Sequence, residues 1–377
     1  MRIDNKNRPA LKLGFIGGGL NSAIGVTHQI ASQMDGRFEL VSGCFSRDNT
    51  INNETAKHWR ISSERVYKNQ DDFLTAESER LDAVVILTPT PTHTDTIIKC
   101  LENRLPIICE KALVSSVDEV ERVHRAVNDM QGRLAVTFNY TGYPMVRELQ
   151  ERICSGELGE IKQVMVEMPQ EGFLRHSNNG KVSIPQEWRQ KDGPIPTVSL
   201  DLGVHVHQLV SFLINEKALD VFAINSTFGE IINVVDTVNC LSHYSNGVVC
   251  NYWYGKAALG YRNGLRIRIM GSKGSAEWLQ MEPEYLYMSD LNGGSKIIDR
   301  THPENNIANQ LRYSRFKAGH PAGFIEAFAN YYVDIADSLL GESDKYVFGV
   351  DTAREGISFL HHANDSAKSG LIVKIIN

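Results

Sequence analysis

The sequence predicts two domains of different fold class. Residues 1–139 read as an α/β domain with a doubly wound parallel sheet, and residues 140–377 as an α+β domain with a large, mainly antiparallel open sheet. Three observations predict this. Apolar strand-length runs alternate with helix-period stretches in the first third. Longer alternating runs with turn signals fill the middle. The 377 residues exceed the length at which a single core stops growing.

The elements follow in chain order. LKLGFI, FELVSGCF, DAVVILTP, PIICEK and RLAVTFN read as strands apolar on both faces, as a parallel sheet covered by helices on both sides requires. Between them IGVTHQIASQM, TAKHW, DTIIKCLEN and VDEVERVHRAVNDM carry helical spacing. After a helix at YPMVRELQERICSG, the runs IKQVMVEM, DVFAINSTF, TVNCLSHYS, VVCNYWYGK, LRIRIMGS and GSAEWLQM alternate as sheet. Ser245-Asn246-Gly247 is a hairpin signal, and Gly271-Ser272-Lys273-Gly274 a second turn. Two helices, at AGFIEAFANYYVDIADSLL and DTAREGISFLHHANDSAKSG, complete the pattern. Between Gln170 and Thr197 the chain is polar and aperiodic, with Pro185, Pro194 and Pro196. So long a loop in a compact chain is more often functional than idle.

Composition excludes several function classes. The hydrophobic fraction is 42%, the charged fraction 22% and the net charge −6, with no block of like charge. Neither a nucleic-acid footprint nor a polybasic membrane surface fits. The opening MRIDNKNRPALKLG has no apolar signal core, and no run is long enough to span a bilayer, so a cytoplasmic location is expected. The six cysteines occur singly, without C-x-x-C, and read as reduced buried thiols. No metal is expected.

The chemistry starts at GFIGGGLNSAIGVTH, Gly14 to His28. A glycine turn between a buried strand and a helix is the mononucleotide-binding arrangement of a Rossmann domain: the helix N-terminus offers free N–H groups and a positive dipole to a pyrophosphate. Gly17 permits the tight turn and Gly19 the close approach of phosphate. The third small position falls on Ser22, or on Gly25 if the loop bulges by three residues; the bulge is preferred because Ile24-Gly25 leads directly into the periodic helix. The second strand ends in Phe45 and is followed by Ser46-Arg47-Asp48, where an NAD site would carry an acidic residue. A hydroxyl and a planar guanidinium suit a 2′-phosphate, so the cofactor reads as NAD or NADP, leaning to NADP. Asp48 as a ribose ligand and Arg47 as an adenine stacker remain open.

Further along, TP-x-x-x-H from Thr88, a strand ending in Glu110-Lys111, Trp188-Arg189, DLGVHVHQL from Asp201, GSKG and GHPAGFIEAFANYYVDIADSL occur in order. Together they resemble the glucose–fructose oxidoreductase / inositol dehydrogenase / rhizopine-catabolism (Gfo/Idh/MocA) family over essentially the whole chain. Two departures stand out: Ala112 occupies the family's proline after Glu-Lys, and PTVSL replaces its small residues before the aspartate.

Lys111 follows an apolar strand, so it sits at the carboxyl edge of the sheet, where ligands bind; there it can polarise a carbonyl oxygen or help remove a hydroxyl proton. Asp201 and His205, four apart, share a face if helical. The resemblance implies that His205 accepts the substrate hydroxyl proton and that Asp201 binds a sugar hydroxyl. It also implies a cofactor wall at Thr88, Pro89 and His93, with Glu110 on the nicotinamide ribose or orienting Lys111. Arg189 then approaches the carboxamide or the substrate, and Tyr140 and His320 face the substrate. The H-x-H completed by His207 lacks a third ligand, so it is not read as a metal site.

The activity expected is hydride transfer between NAD(P) and a secondary alcohol of a sugar, sugar derivative or cyclitol. The alternatives are a redox-neutral glycosidase that retains NAD, or a non-catalytic sugar- or nucleotide-sensing regulator, against which Glu110-Lys111 counts. A sheet with helices on one face predicts a homodimer or homotetramer packed through the other.

Overall fold

The computed structural model describes residues 9–177, 180–182, 184–317 and 319–376. The opening eight residues, and Asn178, Asn179 and Ser183 of the long loop, lie outside the described residues. The chain divides into two compact units: residues 1–114, 118–142 and 323–354 form the first, and 115–117, 143–322 and 355–377 the second.

In the first unit the apolar runs become β1 (Leu11–Gly17), β2 (Phe38–Cys44), β3 (Ala83–Leu87), β4 (Ile107–Cys109) and β5 (Leu134–Val136). They pair in parallel in the order β2-β1-β3-β4-β5. The helices are α1 (Ala23–Gln33), α2 (Asn49–Trp59), α3 (Gln70–Glu77), α4 (His93–Glu102) and α5 (Val117–Asp129). Of these, only α3 is absent from the sequence pattern. The connection after β2 carries the chain to the far side of β1, so winding reverses between β1 and β3. A crevice at the carboxyl ends of those strands is the expected ligand site.

The first unit also takes in α8 (Phe324–Leu339), which the sequence reading assigned to the second domain. The reason is its aromatic face. Phe328, Tyr331, Tyr332 and Ile335 join Leu13, Phe15, Phe38, Val85 and Ile108 in one core. The Tyr331 hydroxyl donates to the Val136 carbonyl at 2.6 Å, and a Cβ on Gly142 would meet the Ala327 carbonyl oxygen at 2.0 Å. The helix thus lies directly on the turn after β5, a packing that local periodicity does not encode.

The second unit holds α6 (Pro144–Cys154), α7 (Val204–Ile214), α9 (Val350–Ser369, which begins in the first unit) and a nine-stranded sheet. Its strands are β6 (Ile161–Pro169), β7 (Ala218–Ser226), β8 (Thr237–Tyr244), β9 (Val249–Gly255), β10 (Arg266–Gly271), β11 (Gly274–Leu279), β12 (Tyr285–Asp290), β13 (Ser295–Asp299) and β14 (Val373–Lys374). They run in the order β13-β12-β11-β10-β6-β9-β8-β7-β14, antiparallel except where β6 meets β9. The turn joining β8 to β9 has left-handed Asn246 (φ 60) and Gly247 (φ 76), as its sequence predicts. Side chains alternate across the pleat. One face buries Val166, Tyr252, Ile267 and Trp278; the other aligns Ile297, Tyr287, Glu277, Arg268, Met165, Asn251, Leu241 and Phe222 across eight strands.

Candidate active site

Gly17 ends β1 with φ +83 and Gly18 follows with φ +74, a conformation that glycine adopts without steric cost. A Cβ on Gly25 would lie 1.9 Å from the Gly18 carbonyl oxygen. Gly25 is therefore the small residue that lets α1 close on the turn. Ser22 does different work: it caps α1, its hydroxyl accepting the Gly25 N–H at 3.2 Å. The Gly19 N–H donates to the Phe45 carbonyl at 3.2 Å, tying the turn to the end of β2. Beyond Phe45, the Ser46 hydroxyl accepts the Asp48 N–H (3.1 Å), while Asp48 caps α2 through the Thr50 N–H (2.8 Å). Arg47 is exposed and has no ion pair or hydrogen bond among the described residues. This strand–turn–helix, with its small residues and capped α1 start, fits a dinucleotide.

The carboxyl ends of β3 and β4 carry the next set. Thr88, half-buried, and Pro89, exposed, follow β3, and the Thr92 hydroxyl is 2.8 Å from that of Thr88. His93 is buried, with Nε2 2.7 Å from the Thr88 carbonyl and Nδ1 3.1 Å from those of Ala112 and Leu113. It braces the turn after β3 against the turn that carries Lys111, and burial holds its imidazole below the usual range. Lys111 is half-buried directly after Glu110, and the Lys111–Ala112 peptide is cis.

Glu110 is the buried anchor of this edge. His28 Nε2 donates to it at 2.9 Å, leaving Nδ1 to accept the Tyr332 hydroxyl at 2.6 Å; Thr137 also donates to the carboxylate. Burial alone would raise the Glu110 pKa, but the hydrogen bond from His28, the Lys111 charge and the hydrogen bond from Thr137 outweigh it, and the group lies below its usual range. A buried ionised carboxylate thus immediately precedes Lys111 in the chain, near enough for the lysine's charge to act on it. Tyr140 is buried in the turn after β5, its ring 6.3 Å from that of Phe324.

The second unit assembles its own cluster. Asp201 lies in a π-helical turn, Ser199–Gly203, that leads into α7, and such turns recur at functional sites. Arg189 Nη1 contacts Asp201 Oδ2 at 2.5 Å, and Lys256 Nζ contacts the same oxygen. The Arg189 guanidinium stacks over the Trp188 ring at 4.6 Å, and the Lys256 ammonium lies 5.6 Å from the centre of the Phe173 ring. His205 is buried in the first turn of α7. His207 is a core residue: its ring lies 4.7 Å from Phe359, its Nε2 has no hydrogen-bond partner among the described residues, and burial lowers its pKa to about 4. His320 is exposed beside Phe316, 4.6 Å between rings. Among the described residues no group of three metal-ligating side chains gathers, and no helix is long and apolar enough to cross a membrane.

Sequence reasoning missed Lys256. Its only local signal is a cation just after an apolar strand, as with Lys111 at the edge of the first sheet.

Comparison with known proteins agrees with this architecture. Residues 11–138 match the family described as an oxidoreductase family with an NAD-binding Rossmann fold, and residues 146–277 match the GFO/IDH/MocA C-terminal domain. The chain belongs to the Gfo/Idh/MocA oxidoreductase family. Within it, the uncharacterized oxidoreductase YfiI of Bacillus subtilis is 27% identical over 96% of both chains. Inositol 2-dehydrogenase of Rhizobium meliloti is 25% identical over 66% of this chain and 70% of its own. An inositol dehydrogenase homologue from Azotobacter vinelandii, solved with NAD+, superposes with a TM-score of 0.89 at 25% identity, covering 97% of each chain. This Gfo/Idh/MocA chain is accordingly an NAD-binding oxidoreductase, a dehydrogenase of CH–OH groups.

Proposed function

We propose that the protein oxidises a secondary alcohol of a sugar, sugar derivative or cyclitol with NAD(P) as hydride acceptor. One observation carries the reading: Lys111 stands beside an ionised, buried Glu110 at the sheet edge that also holds the Gly17–Gly19 turn. The Azotobacter homologue solved with NADH and myo-inositol, 25% identical with a TM-score of 0.88, supports the substrate class.

The cofactor, when bound, supplies a two-electron acceptor for the hydride leaving the alcohol carbon. Lys111 polarises the reacting oxygen, and Glu110 orients Lys111 through their opposite charges. Thr88 and Pro89 form the adjoining wall, with His93 bracing them from behind. His205 accepts the hydroxyl proton as the carbonyl forms, and Asp201, held by Arg189, accepts a hydrogen bond from a neighbouring hydroxyl. Tyr140 and His320 are the further substrate-side candidates. Gly17, Gly19 and the α1 start take the pyrophosphate. Ser46 and Arg47 take the adenosine end, with Arg47 favouring NADP(H). The open face of the nine-stranded sheet is read as the contact of a homodimer or homotetramer.

The test is a panel of sugars and cyclitols offered with NAD and with NADP, followed at the reduced-nicotinamide absorbance. Net reduction with at least one polyol is expected. Bound cofactor that survives dialysis, with glycoside cleavage and no net reduction, would replace this reading by the redox-neutral one.

A further inference from the structure

We propose that Lys256 is a positioning residue for this oxidation, acting through Asp201; the proposal rests on the role given to Asp201 above. Lys256 and Arg189 converge on the same carboxylate oxygen, Oδ2, from opposite parts of the sequence. Arg189 comes from the long loop and Lys256 from the end of β9, while Asp201 stands on a helical turn. Two cations on one oxygen fix the plane of the carboxylate. They also keep it an acceptor, so that a substrate hydroxyl must donate to it.

The backbone of Lys256 is fixed on both sides. Its N–H donates to the Asp236 carbonyl at 2.7 Å, and its own carbonyl accepts the Phe173 N–H at 2.8 Å. The same turn therefore holds the lysine and the aromatic ring beneath its ammonium. Asp236 is itself buried, its carboxylate accepting the N–H groups of Phe228 (2.8 Å) and Gly229 (2.7 Å). Side-chain exposure is only 13% for Lys256 and 12% for Asp201. At that depth an ion pair is screened far less than on the surface, and its geometry is transmitted to whatever Asp201 touches. A lysine held this way is built for orientation; a surface lysine is mobile and solvated.

The test is steady-state kinetics of Lys256→Met, Lys256→Arg, Asp201→Asn and the double variant Asp201→Asn/Lys256→Met. Cofactor affinity and thermal unfolding are measured on each, with the polyol that the wild type oxidises best. Lys256→Met is expected to lower kcat by on the order of 100-fold, the scale of a small misplacement in a reacting geometry. Cofactor affinity should hold, and Lys256→Arg should recover most of the loss. In the Asp201→Asn background, Lys256→Met should change kcat little, because residues acting as one unit are not additive. Wild-type turnover in Lys256→Met, an equal fold loss in both backgrounds, or unfolding of both Lys256 variants overturns the proposal and leaves the dehydrogenase reading standing. Equal turnover of wild type and Asp201→Asn overturns the role of Asp201 and, with it, that of Lys256.

Discussion

Arg47 is an exposed cation at the carboxyl end of β2, where Ser46 and Asp48 are already engaged in capping the backbone. With Asp48 occupied as the α2 cap, Arg47→Asp should weaken NADP(H) far more than NAD(H), measured as dissociation constants by nicotinamide fluorescence; equal losses would remove the 2′-phosphate assignment. His207 makes a pH prediction. Its folded pKa of about 4 lies below an unfolded value near 6.5. The unfolded chain therefore binds the extra proton first, so stability is full above about 6.5 and falls until about pH 4, by about 3 kcal/mol. His207→Phe should flatten the urea-unfolding stability over that window; an unchanged slope would refute the assignment. Much of the candidate site is legible residue by residue, since Lys111, Asp201 and the glycines sit at strand ends or helix starts. Lys256 is not, because its meeting with Asp201 is made by sheet and loop together. Nor does a sequence reveal that both ring nitrogens of His93 face backbone carbonyls.

At the scale of elements, the link from β1 through the glycine turn to α1 depends on one close approach. Gly25→Ala forces a Cβ against the Gly18 carbonyl, so α1 must shift. A destabilisation of about 1–3 kcal/mol is expected, together with weaker cofactor binding; thermal unfolding and cofactor titration check both, and an unaltered affinity would detach Gly25 from the phosphate turn. Strands β3, β4 and β5 are readable because a strand buried on both faces is apolar throughout, and β1 and β2 because Lys12 and Glu39 are their only exposed positions. Helix α3 was not, since QDDFLTAE is a short helix with few apolar residues, capped by Asn69. The π-helical turn at Asp201 was hidden too, because it differs from an α-helix in its hydrogen bonding and not in composition. Helix α8 is legible as a helix but its packing partner is not: amphipathicity says that a face must be buried and leaves open against what.

For the whole molecule, the open face of the nine-stranded sheet aligns apolar residues on either side of a charged centre. Arg266 meets Glu277 at 2.8 Å, and Arg268 meets Glu167 at 3.4 Å. Met165, Leu241 and Phe222 lie to one side, Tyr287 and Ile297 to the other. Light scattering should report a closed homo-oligomer at micromolar concentration, and Arg268→Glu should shift it towards monomer; a monomeric wild type would refute the interface. Lys111 is proposed to serve hydride transfer from a polyol to NAD(P). Its most direct test is Lys111→Ala, assayed for cofactor affinity and for turnover on the same polyol. Affinity should persist, because the glycine turn and Ser46-Arg47 are untouched, while turnover falls by roughly 10²–10⁴-fold. A variant that binds cofactor and oxidises the polyol at the wild-type rate would remove Lys111 from the reaction.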